Sequence, residues 1–296
     1  MIEIALLGAT ASGKSALAID VAKTVGANIL SLDSLSIYKE VDIISAKPSL
    51  EERADIKHFG IDELTIDQYF SAATFFDLYK KAKETSLKEG KHLIIVGGTS
   101  FYLKSMIEGL STKLTPSQET VQKVQAQLKN LKDAYAFIEK KDIVYANKIS
   151  PRDSYRIQRW YEVYFESGLS SSIYFKSNHK EAVLKDIPIY DIMIDKDLLR
   201  ERISQRTAIM IKQGAIDEVF ALEKKYSRTP NPMKAIGIVE CLSFLDGKIN
   251  KKELHTLISI HTAQLAKRQR TFNKTQFPTV EKYLIKDLKE KLLSNF

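Results

Sequence analysis

The segment GATASGKS, at residues 8–15, constrains the fold of this 296-residue chain more than any other stretch. It fits the pattern GxxxxGK[ST], follows the apolar run IEIALL and precedes SALAIDVAKTVG, whose apolar spacing is helical. In such a strand–loop–helix unit, backbone amides and the helix N-terminus bind an oligophosphate, a lysine meets its outer oxygens and a hydroxyl can ligate Mg²⁺. The predicted phosphate-binding residues are Gly8, Ala9, Thr10, Ala11, Ser12, Gly13, Lys14 and Ser15, with Ser15 as the metal ligand.

Strand and helix patterns alternate through the first third of the chain. ANILSLDS predicts a second strand that ends at Asp33, residues 71–90 predict a helix, and KHLIIVGGTS predicts a third strand that runs into two glycines. This alternation is typical of an α/β fold with a doubly wound parallel sheet, in which ligands bind at the carboxyl ends of the strands. We therefore expect residues 8–15, 33–36 and 97–99 to meet at one crevice.

Strand patterns disappear from about residue 114 to residue 173. Residues 117–142 and 153–168 each predict a helix, the second closed by Gly168, and strand signal returns only at IPIYDIMID. We therefore expect an α/β core formed by residues 1–113 and 186–296, with C-terminal helices, and a helical insertion formed by residues 114–185.

The net charge of +8 is distributed unevenly. Residues 1–110 carry 12 Lys and Arg against 15 Asp and Glu, residues 111–185 carry 13 against 8, and residues 186–296 carry 20 against 14. All of the positive excess therefore lies outside the first third. Such an excess suits a polyanionic partner, although lysine-rich helix faces exposed to solvent are common.

Asp33, in LDSLSIY, is the candidate catalytic residue beside the loop. A carboxylate at a strand end can accept a proton from a nucleophile, bind magnesium through water, or cap the following turn together with Ser34. Its place beside a phosphate loop favours catalysis over capping. Ser36 and Tyr38 suit a wall for a nucleobase, although core packing is the better interpretation of Tyr38.

Other features narrow the class of protein. Enzymes that hydrolyse or transfer phosphate from ATP generally orient magnesium with an aspartate at a strand end, whereas HLIIVGGT ends in Gly-Gly-Thr.

Cys241 is the only cysteine and lies in the apolar segment IVECLSFL, which predicts a buried free thiol. No apolar run predicts a signal peptide or a membrane span, so we expect a cytoplasmic protein.

Several further segments, together with the phosphate loop, resemble the tRNA dimethylallyltransferases, the isopentenyl-transferring enzymes of bacterial tRNA modification. Each segment alone is a weak signal, whereas the series in the family's order along nearly the whole chain is specific. The matching segments are GATASGKS, LDSLSIYKEVDIISAKP, HFGIDEL with YFSAATF, IIVGGTSFYLKSMIEGL, DIVYANKISPRDSYRIQRWYEVYFESG, LLRERISQRTAIMIKQGAIDEV, KAIGIVE and HTAQLAKRQRTF.

The resemblance implies a reaction. Enzymes of this family transfer a dimethylallyl group from dimethylallyl diphosphate to the exocyclic amine of the adenosine on the 3′ side of the anticodon, and they release diphosphate. The resemblance also implies a P-loop α/β core with an inserted helical domain, Mg²⁺ as cofactor, and the tRNA anticodon stem-loop as partner. We further expect a monomer without membrane attachment.

The resemblance also assigns roles to residues. Asp33 would accept the proton of the attacking amine, Lys14 would stabilise the leaving diphosphate, and Thr99 would touch the bridging oxygen or the amine. Arg202 and Arg206, four residues apart on a predicted helix, would reach the diphosphate. The residues expected at the tRNA are Asp33, Ser34, Leu35, Ser36, Thr99, Tyr155, Arg156, Ile157, Gln158, Arg159, Lys267, Arg268 and Arg270.

The chain departs from the family's pattern at a few positions. Ser36 stands where a glutamine is usual, and a serine is too short to form the two hydrogen bonds that an amide gives adenine. Ser100 replaces a usual glycine. Trp160 and Tyr161 suit core packing better than base stacking, and His58 suits a structural role.

Three other functions are compatible with a phosphate loop. They are a related transferase that prenylates free adenylate, a small-molecule phosphotransferase, and a non-catalytic RNA-binding NTPase. Transfer to a free nucleotide would leave the basic insertion without a purpose, and phosphoryl transfer would require turnover of ATP.

Overall fold

A computed structural model describes residues 1–109, 114–178 and 181–296. Contacts within the chain divide it into two compact units, residues 1–104 with 184–296, and residues 105–183. The boundary that the sequence predicts at residue 113 falls outside the described residues.

A six-stranded parallel sheet forms the centre of the first unit. Its strands are β1 (Glu3–Gly8), β2 (Ala27–Ser31), β3 (His58–Phe59), β4 (His92–Gly97), β5 (Ile189–Met193) and β6 (Glu281–Leu284). They lie in the order β3-β2-β4-β1-β5-β6, and every neighbouring pair is parallel. The predicted α/β parallel sheet is therefore confirmed, although β2 ends at Ser31, so that Asp33 lies in the loop that follows it.

Helices make up most of the remaining chain. They are α1 (Lys14–Val25), α2 (Leu50–Arg53), α3 (Ala72–Lys88), α4 (Ser100–Glu108), α5 (Gln118–Leu128), α6 (Leu131–Lys141), α7 (Ile143–Ala146), α8 (Ser154–Ser167), α9 (Ser171–Ser177), α10 (Lys196–Lys212), α11 (Ala215–Tyr226), a 3₁₀ helix (Asn231–Lys234), α12 (Ile238–Leu245), α13 (Lys251–Gln276) and α14 (Ile285–Leu293).

Helices cover both faces of the sheet. Successive side chains of a strand point to opposite faces, so Ile4 and Leu6 of β1 share a face, on which they pack in one cluster with α1 and α14. Glu3 belongs to the other face, where it accepts a hydrogen bond from Tyr79 of α3 at 3.0 Å. Because the strands are covered on both sides, the central sequences read as continuous apolar runs.

The second unit contains helices α5 to α9 around its own core. The sequence predicted one helix over residues 117–142, whereas two are present. The first ends at Leu128, and Asn130 caps the second by accepting from the Lys132 and Asp133 amides. Trp160 and Tyr161 are fully buried here, as expected. The Trp160 indole donates to Asp142 Oδ2 at 3.0 Å, which pairs a buried donor with a carboxylate.

Candidate active site

The phosphate loop connects β1 to α1 in a tight turn. Gly13 has φ +93° and Ala11 has φ +61°, so two of its residues lie in the left-handed region. A Cβ atom at Gly8 would lie 2.8 Å from Ser12 Oγ. The loop therefore needs a glycine at residue 8 for space and one at residue 13 for its backbone conformation.

Lys14 lies at the start of α1 with its amine folded back over the loop. Its Nζ donates to the Ala9 carbonyl oxygen at 3.2 Å. Burial lowers the pKa of Lys14 to about 8, while the nearby Asp33 carboxylate acts in the opposite direction. A bound polyanion would offset this cost, because it supplies negative charge where the amine has lost water.

Two arginines of α10 reach the same loop. Arg202 Nη1 lies 3.4 Å from the Ser12 carbonyl oxygen, and Arg206 Nη1 lies 3.5 Å from Thr10 Oγ1. Burial lowers the pKa of Arg206, and Asp33 acts against this shift. Both arginines that the sequence assigned to the diphosphate thus lie beside residues 8–15.

Asp33 faces the phosphate loop across a small cavity of about 70 Å³. Its walls include Thr10, Lys14, Ser15, Asp33, Ser36, His58, Gly97 and Arg206. Asp33 Oδ1 accepts from the amides of Leu35 at 2.8 Å and Ser36 at 3.1 Å. The carboxylate therefore caps the following turn, as one interpretation predicted, and both bonds use a single oxygen, so Oδ2 remains an acceptor for a substrate proton.

Thr99 lies at the neighbouring strand end but is absent from the described walls of this cavity. Its amide donates to the Leu32 carbonyl oxygen at 3.0 Å, directly before Asp33. A Cβ atom at Gly97 would lie 2.3 Å from the same oxygen. The ends of β2 and β4 approach so closely that only a glycine fits at residue 97.

A larger cleft of about 1420 Å³ adjoins the loop. Its walls include the cations Lys14, Lys39, Lys47, Arg53, Arg202 and Arg206, the acids Asp20, Glu40, Asp42, Glu52 and Asp62, and the apolar side chains of Ile43, Ile209 and Met210. Lys47 and Arg53 are paired with acids of this set. Lys14, Arg202 and Arg206, beside the phosphate loop, remain able to accept an anion, and the apolar side chains can accept carbon groups.

Two charged residues that sequence reasoning missed hold the loop between β2 and α2. The side chain of Lys47 is 2% exposed, and its amine donates to the Tyr38 carbonyl at 2.5 Å and to the carboxylates of Asp42 at 2.8 Å and Asp62 at 2.7 Å. The Glu218 carboxylate accepts from the amides of residues 42, 43 and 44. Lys47 and Glu218 lie in two of the family-like segments, LDSLSIYKEVDIISAKP and LLRERISQRTAIMIKQGAIDEV, but the segments do not show what these side chains contact.

The remaining residues predicted near Asp33 lie in different environments. Ser36 and Tyr38 are about 5% exposed, Leu35 is half-buried and Ser34 is exposed. Tyr38 packs edge-on against Phe70, as the core interpretation predicted. His58 Nδ1 lies 2.9 Å from the Ile56 carbonyl oxygen, and burial lowers the pKa of this histidine.

The predicted tRNA-binding residues on α8 are divided by burial. Tyr155 is 75% exposed, whereas Ile157 is fully buried in the core of the second unit, so its side chain cannot contact RNA and that prediction was wrong. Gln158 donates to Glu162 at 2.8 Å. Arg156 pairs with Asp153 and Arg159 pairs with Glu162, and the second of these ion pairs spans 2.8 Å.

The basic segment of α13 is exposed instead. Lys267, Arg268 and Arg270 all face solvent. In the described parts of the chain no acid lies within ion-pair distance of them, and Arg270 acts electrostatically on the carboxyl groups of Asp191 and Asp195. Between these cations lies Gln269, whose Oε1 accepts from the Thr10 amide of the phosphate loop at 2.8 Å. Gln269 was not predicted from the sequence, because a glutamine between charged residues is typical of an exposed helix face.

The donor atoms at the cavity show whether the site suits a magnesium ion. Within residues 1–109, 114–178 and 181–296, no cluster of three His, Cys, Asp or Glu side chains could hold a metal alone. Ser15 and Asp33 supply one hydroxyl and one carboxylate to the same cavity. This sparse set fits Mg²⁺, which commonly combines one or two protein ligands with water and substrate phosphates.

Two further expectations concern the rest of the molecule. Cys241 is buried, and burial raises the pKa of its thiol to about 12, so the predicted inert free cysteine is confirmed. In the described parts of the chain, every helix is too short or too polar to cross a bilayer.

Known proteins resemble the chain over its whole length. The family model described as IPP transferase matches residues 36–276. A tRNA dimethylallyltransferase of Sulfurimonas denitrificans is 52% identical over 99% of both chains, and one of Aliarcobacter butzleri is 47% identical over 100% of this chain and 99% of its own.

Solved structures agree in fold. A tRNA isopentenylpyrophosphate transferase from Staphylococcus epidermidis, 29% identical, superposes with a TM-score of 0.69 over 99% of this chain and 96% of its own. A eukaryotic dimethylallyltransferase described as acting on tRNA, 24% identical, gives a TM-score of 0.82 over 97% of this chain and 75% of its own. The parallel sheet, the phosphate loop facing Asp33 and these similarities together establish that the chain belongs to the IPP transferase family, alongside the tRNA dimethylallyltransferases.

Proposed function

We propose that the protein transfers a dimethylallyl group from dimethylallyl diphosphate to the exocyclic N6 amine of the adenosine on the 3′ side of the anticodon in tRNA. The observation that carries this proposal is the cavity where Lys14, Ser15 and Arg206 face Asp33. It supports an anionic leaving group on one side and a proton acceptor on the other. Membership of the family supports the same reaction.

The phosphate loop binds the diphosphate in this proposal. The loop amides that have no partner within the protein hold its oxygens together with the N-terminus of α1, whereas the amides of Thr10 and Ser12 already donate to Gln269 and Ala9. Lys14, Arg202 and Arg206 supply positive charge. As the bond between the allylic carbon and the bridging oxygen breaks, negative charge grows on the leaving oxygens. These cations stabilise that charge, so the loop serves a leaving group rather than a phosphoryl donor.

Asp33 completes the reaction by accepting a proton. The adenine amine nitrogen forms a bond to the allylic carbon while diphosphate departs, and one N–H proton passes to the Asp33 carboxylate. The two amides on Oδ1 fix the orientation of the carboxyl group, which leaves Oδ2 to receive the proton. Thr99 is proposed to contact the amine or the bridging oxygen, which is supported by the bond from its amide to the Leu32 carbonyl oxygen, next to Asp33 in the chain.

Mg²⁺ is the proposed cofactor. Ser15 and Asp33 would hold it, directly or through water, together with the phosphate oxygens. When bound, the ion adds positive charge to the diphosphate and makes it a better leaving group.

Recognition of tRNA is assigned to exposed basic residues. Lys267, Arg268 and Arg270 of α13 would contact backbone phosphates, with Tyr155, Arg156 and Arg159 of α8 as a second set. The target adenosine lies in an unpaired loop, so little energy is needed to turn it out of its stack. We further propose that the protein acts as a cytoplasmic monomer.

A labelling experiment tests this function. The protein is incubated with radiolabelled dimethylallyl diphosphate, Mg²⁺ and an unmodified anticodon stem-loop, with an otherwise identical stem-loop that carries guanosine at the target position as the control. We expect label only in the adenosine-containing RNA. Parallel incubations supply AMP or ATP in place of the RNA. Label in AMP but not in either RNA would contradict the proposal, as would turnover of ATP without any transfer of label to RNA.

A further inference from the structure

The phosphate loop has a contact partner far away in the chain. Gln269 of α13 accepts a hydrogen bond from the Thr10 amide at 2.8 Å, although the two residues are 259 positions apart. Thr10 immediately precedes Ala11, a non-glycine residue with φ +61°. Backbone in that region persists only where its surroundings hold it, and the Gln269 side chain supplies such a restraint from outside the loop.

The amide group of Gln269 also lies against the end of β4. A Cβ atom at Gly98 would lie 2.4 Å from Gln269 Nε2. A side chain at residue 98 would therefore force the Gln269 amide group to move away from the end of β4. The next residue is Thr99, so one side chain touches both the phosphate loop and the strand end that carries a predicted catalytic residue.

Helix α13 presents two chemically different faces around Gln269. Ala266 is buried in a cluster with Ala9 of the phosphate loop and with Leu199 and Ile203 of α10. Asn273 is buried as well, and its amide donates to Asp191 of β5 at 3.0 Å. The inner face of the helix is thus fixed to the loop and the sheet, while Lys267, Arg268 and Arg270 face solvent.

We infer that Gln269 is a positioning residue that holds the phosphate loop in its binding conformation and couples diphosphate binding to RNA binding on α13. RNA bound to the exposed cations restrains the helix, and the same helix holds the Thr10 amide through Gln269. Each ligand therefore stabilises the arrangement in which this contact is formed, and the coupling is reciprocal. The coupling rests on the proposed function, whereas the restraint on the loop does not.

The test measures pyrophosphate affinity by calorimetry in the presence of Mg²⁺, first without RNA and then with the anticodon stem-loop. In the unaltered protein we expect RNA to tighten pyrophosphate binding by roughly tenfold. Gln269→Leu removes the hydrogen-bond acceptor and leaves the Thr10 amide unpaired. Without RNA, this variant should therefore bind pyrophosphate roughly tenfold more weakly than the unaltered protein. The affinity of the variant for RNA, measured without pyrophosphate, should stay within about twofold of that of the unaltered protein. RNA should no longer tighten the binding of pyrophosphate to the variant.

Gln264→Leu is the matched control, since Gln264 is an exposed glutamine on the same helix. It should leave both affinities unchanged. Gln269→Met, which keeps the length of the side chain, repeats the test should the leucine variant fail to fold, as judged by its melting transition. Pyrophosphate affinity within twofold of the unaltered protein, or an unchanged effect of RNA, would overturn the inference.

The outcomes separate this inference from the proposed function. Weaker pyrophosphate binding by Gln269→Leu without RNA supports the restraint on the loop even where no dimethylallyl transfer to RNA occurs. Equal losses of pyrophosphate and RNA binding would instead assign Gln269 a purely structural role and overturn the positioning role.

Discussion

Helices α8 and α13 carry similar basic signals in sequence but hold their cations differently. On α8, Arg156 and Arg159 form ion pairs with acids three residues away. On α13, the cations Lys267, Arg268 and Arg270 have no ion-pair partner in the part of the chain that the structure describes. The number of arginines in a segment therefore predicts its total charge, but neighbouring acids decide how much of that charge is available to a polyanion.

The largest expected effect is on the catalytic step, and it should be separable from RNA binding by α8 and α13. Asp33→Asn keeps an oxygen that can accept from the amides of residues 35 and 36, but it removes the proton acceptor. The rate of dimethylallyl transfer should fall by roughly 10²- to 10⁴-fold, as for loss of a general base. RNA affinity, measured by filter binding, should stay within a few-fold. Equal losses of transfer and RNA binding would show that Asp33 has a structural role.

Neutralising the exposed cations of α13 tests the difference between the two helices. The triple variant K267Q, R268Q and R270Q should bind the anticodon stem-loop roughly 30- to 100-fold more weakly near physiological salt, because three phosphate contacts are lost. The slope of log affinity against log salt should become shallower by about 2 to 3. An unchanged slope would place the RNA elsewhere on the molecule.

A smaller effect should follow from pH at the phosphate loop. Lys14 has a pKa lowered to about 8 by burial, so its amine is charged below that pH and becomes neutral above it. Pyrophosphate affinity should therefore fall by roughly tenfold more between pH 7 and pH 9 in the unaltered protein than in Lys14→Met. The ionisation of pyrophosphate is common to both proteins, so the difference isolates the lysine. Parallel pH profiles would contradict the assignment.

The smallest expected effect belongs to α8. Because Arg156 and Arg159 already pair with acids, the double variant R156Q and R159Q should weaken RNA binding by only about threefold, with a change in salt slope of less than about 1. A loss as large as that of the α13 variant would erase the distinction between the two helices.

The sequence predicted the features that depend on local pattern. A strand–loop–helix motif identified the phosphate loop, and alternating apolar runs predicted the parallel sheet. It did not predict which residues of α8 face the core, and so Ile157 was grouped with its exposed neighbours although it is buried. The break between α5 and α6 was also missed. Asn130 acts as a cap only through its bonds to the first turn of α6, and these bonds are not visible in the sequence pattern.

Long-range contacts were beyond the reach of the sequence. Glu218 accepts three amides from a loop some 175 positions away, and Gln269 reaches Thr10 across an even longer separation. Both residues are polar side chains on helices, and nothing in their local pattern distinguishes them from side chains exposed to solvent. Only the packing of α11 and α13 brings these groups to the site.

The most direct test of the central claim counts both products of one reaction. We propose that the phosphate loop binds a leaving diphosphate and not a transferred phosphoryl group. With radiolabelled dimethylallyl diphosphate and the adenosine-containing stem-loop, we expect one pyrophosphate released for each dimethylallyl group found on the RNA, with no orthophosphate. Release of orthophosphate, or pyrophosphate release without a matching gain of label in the RNA, would contradict it.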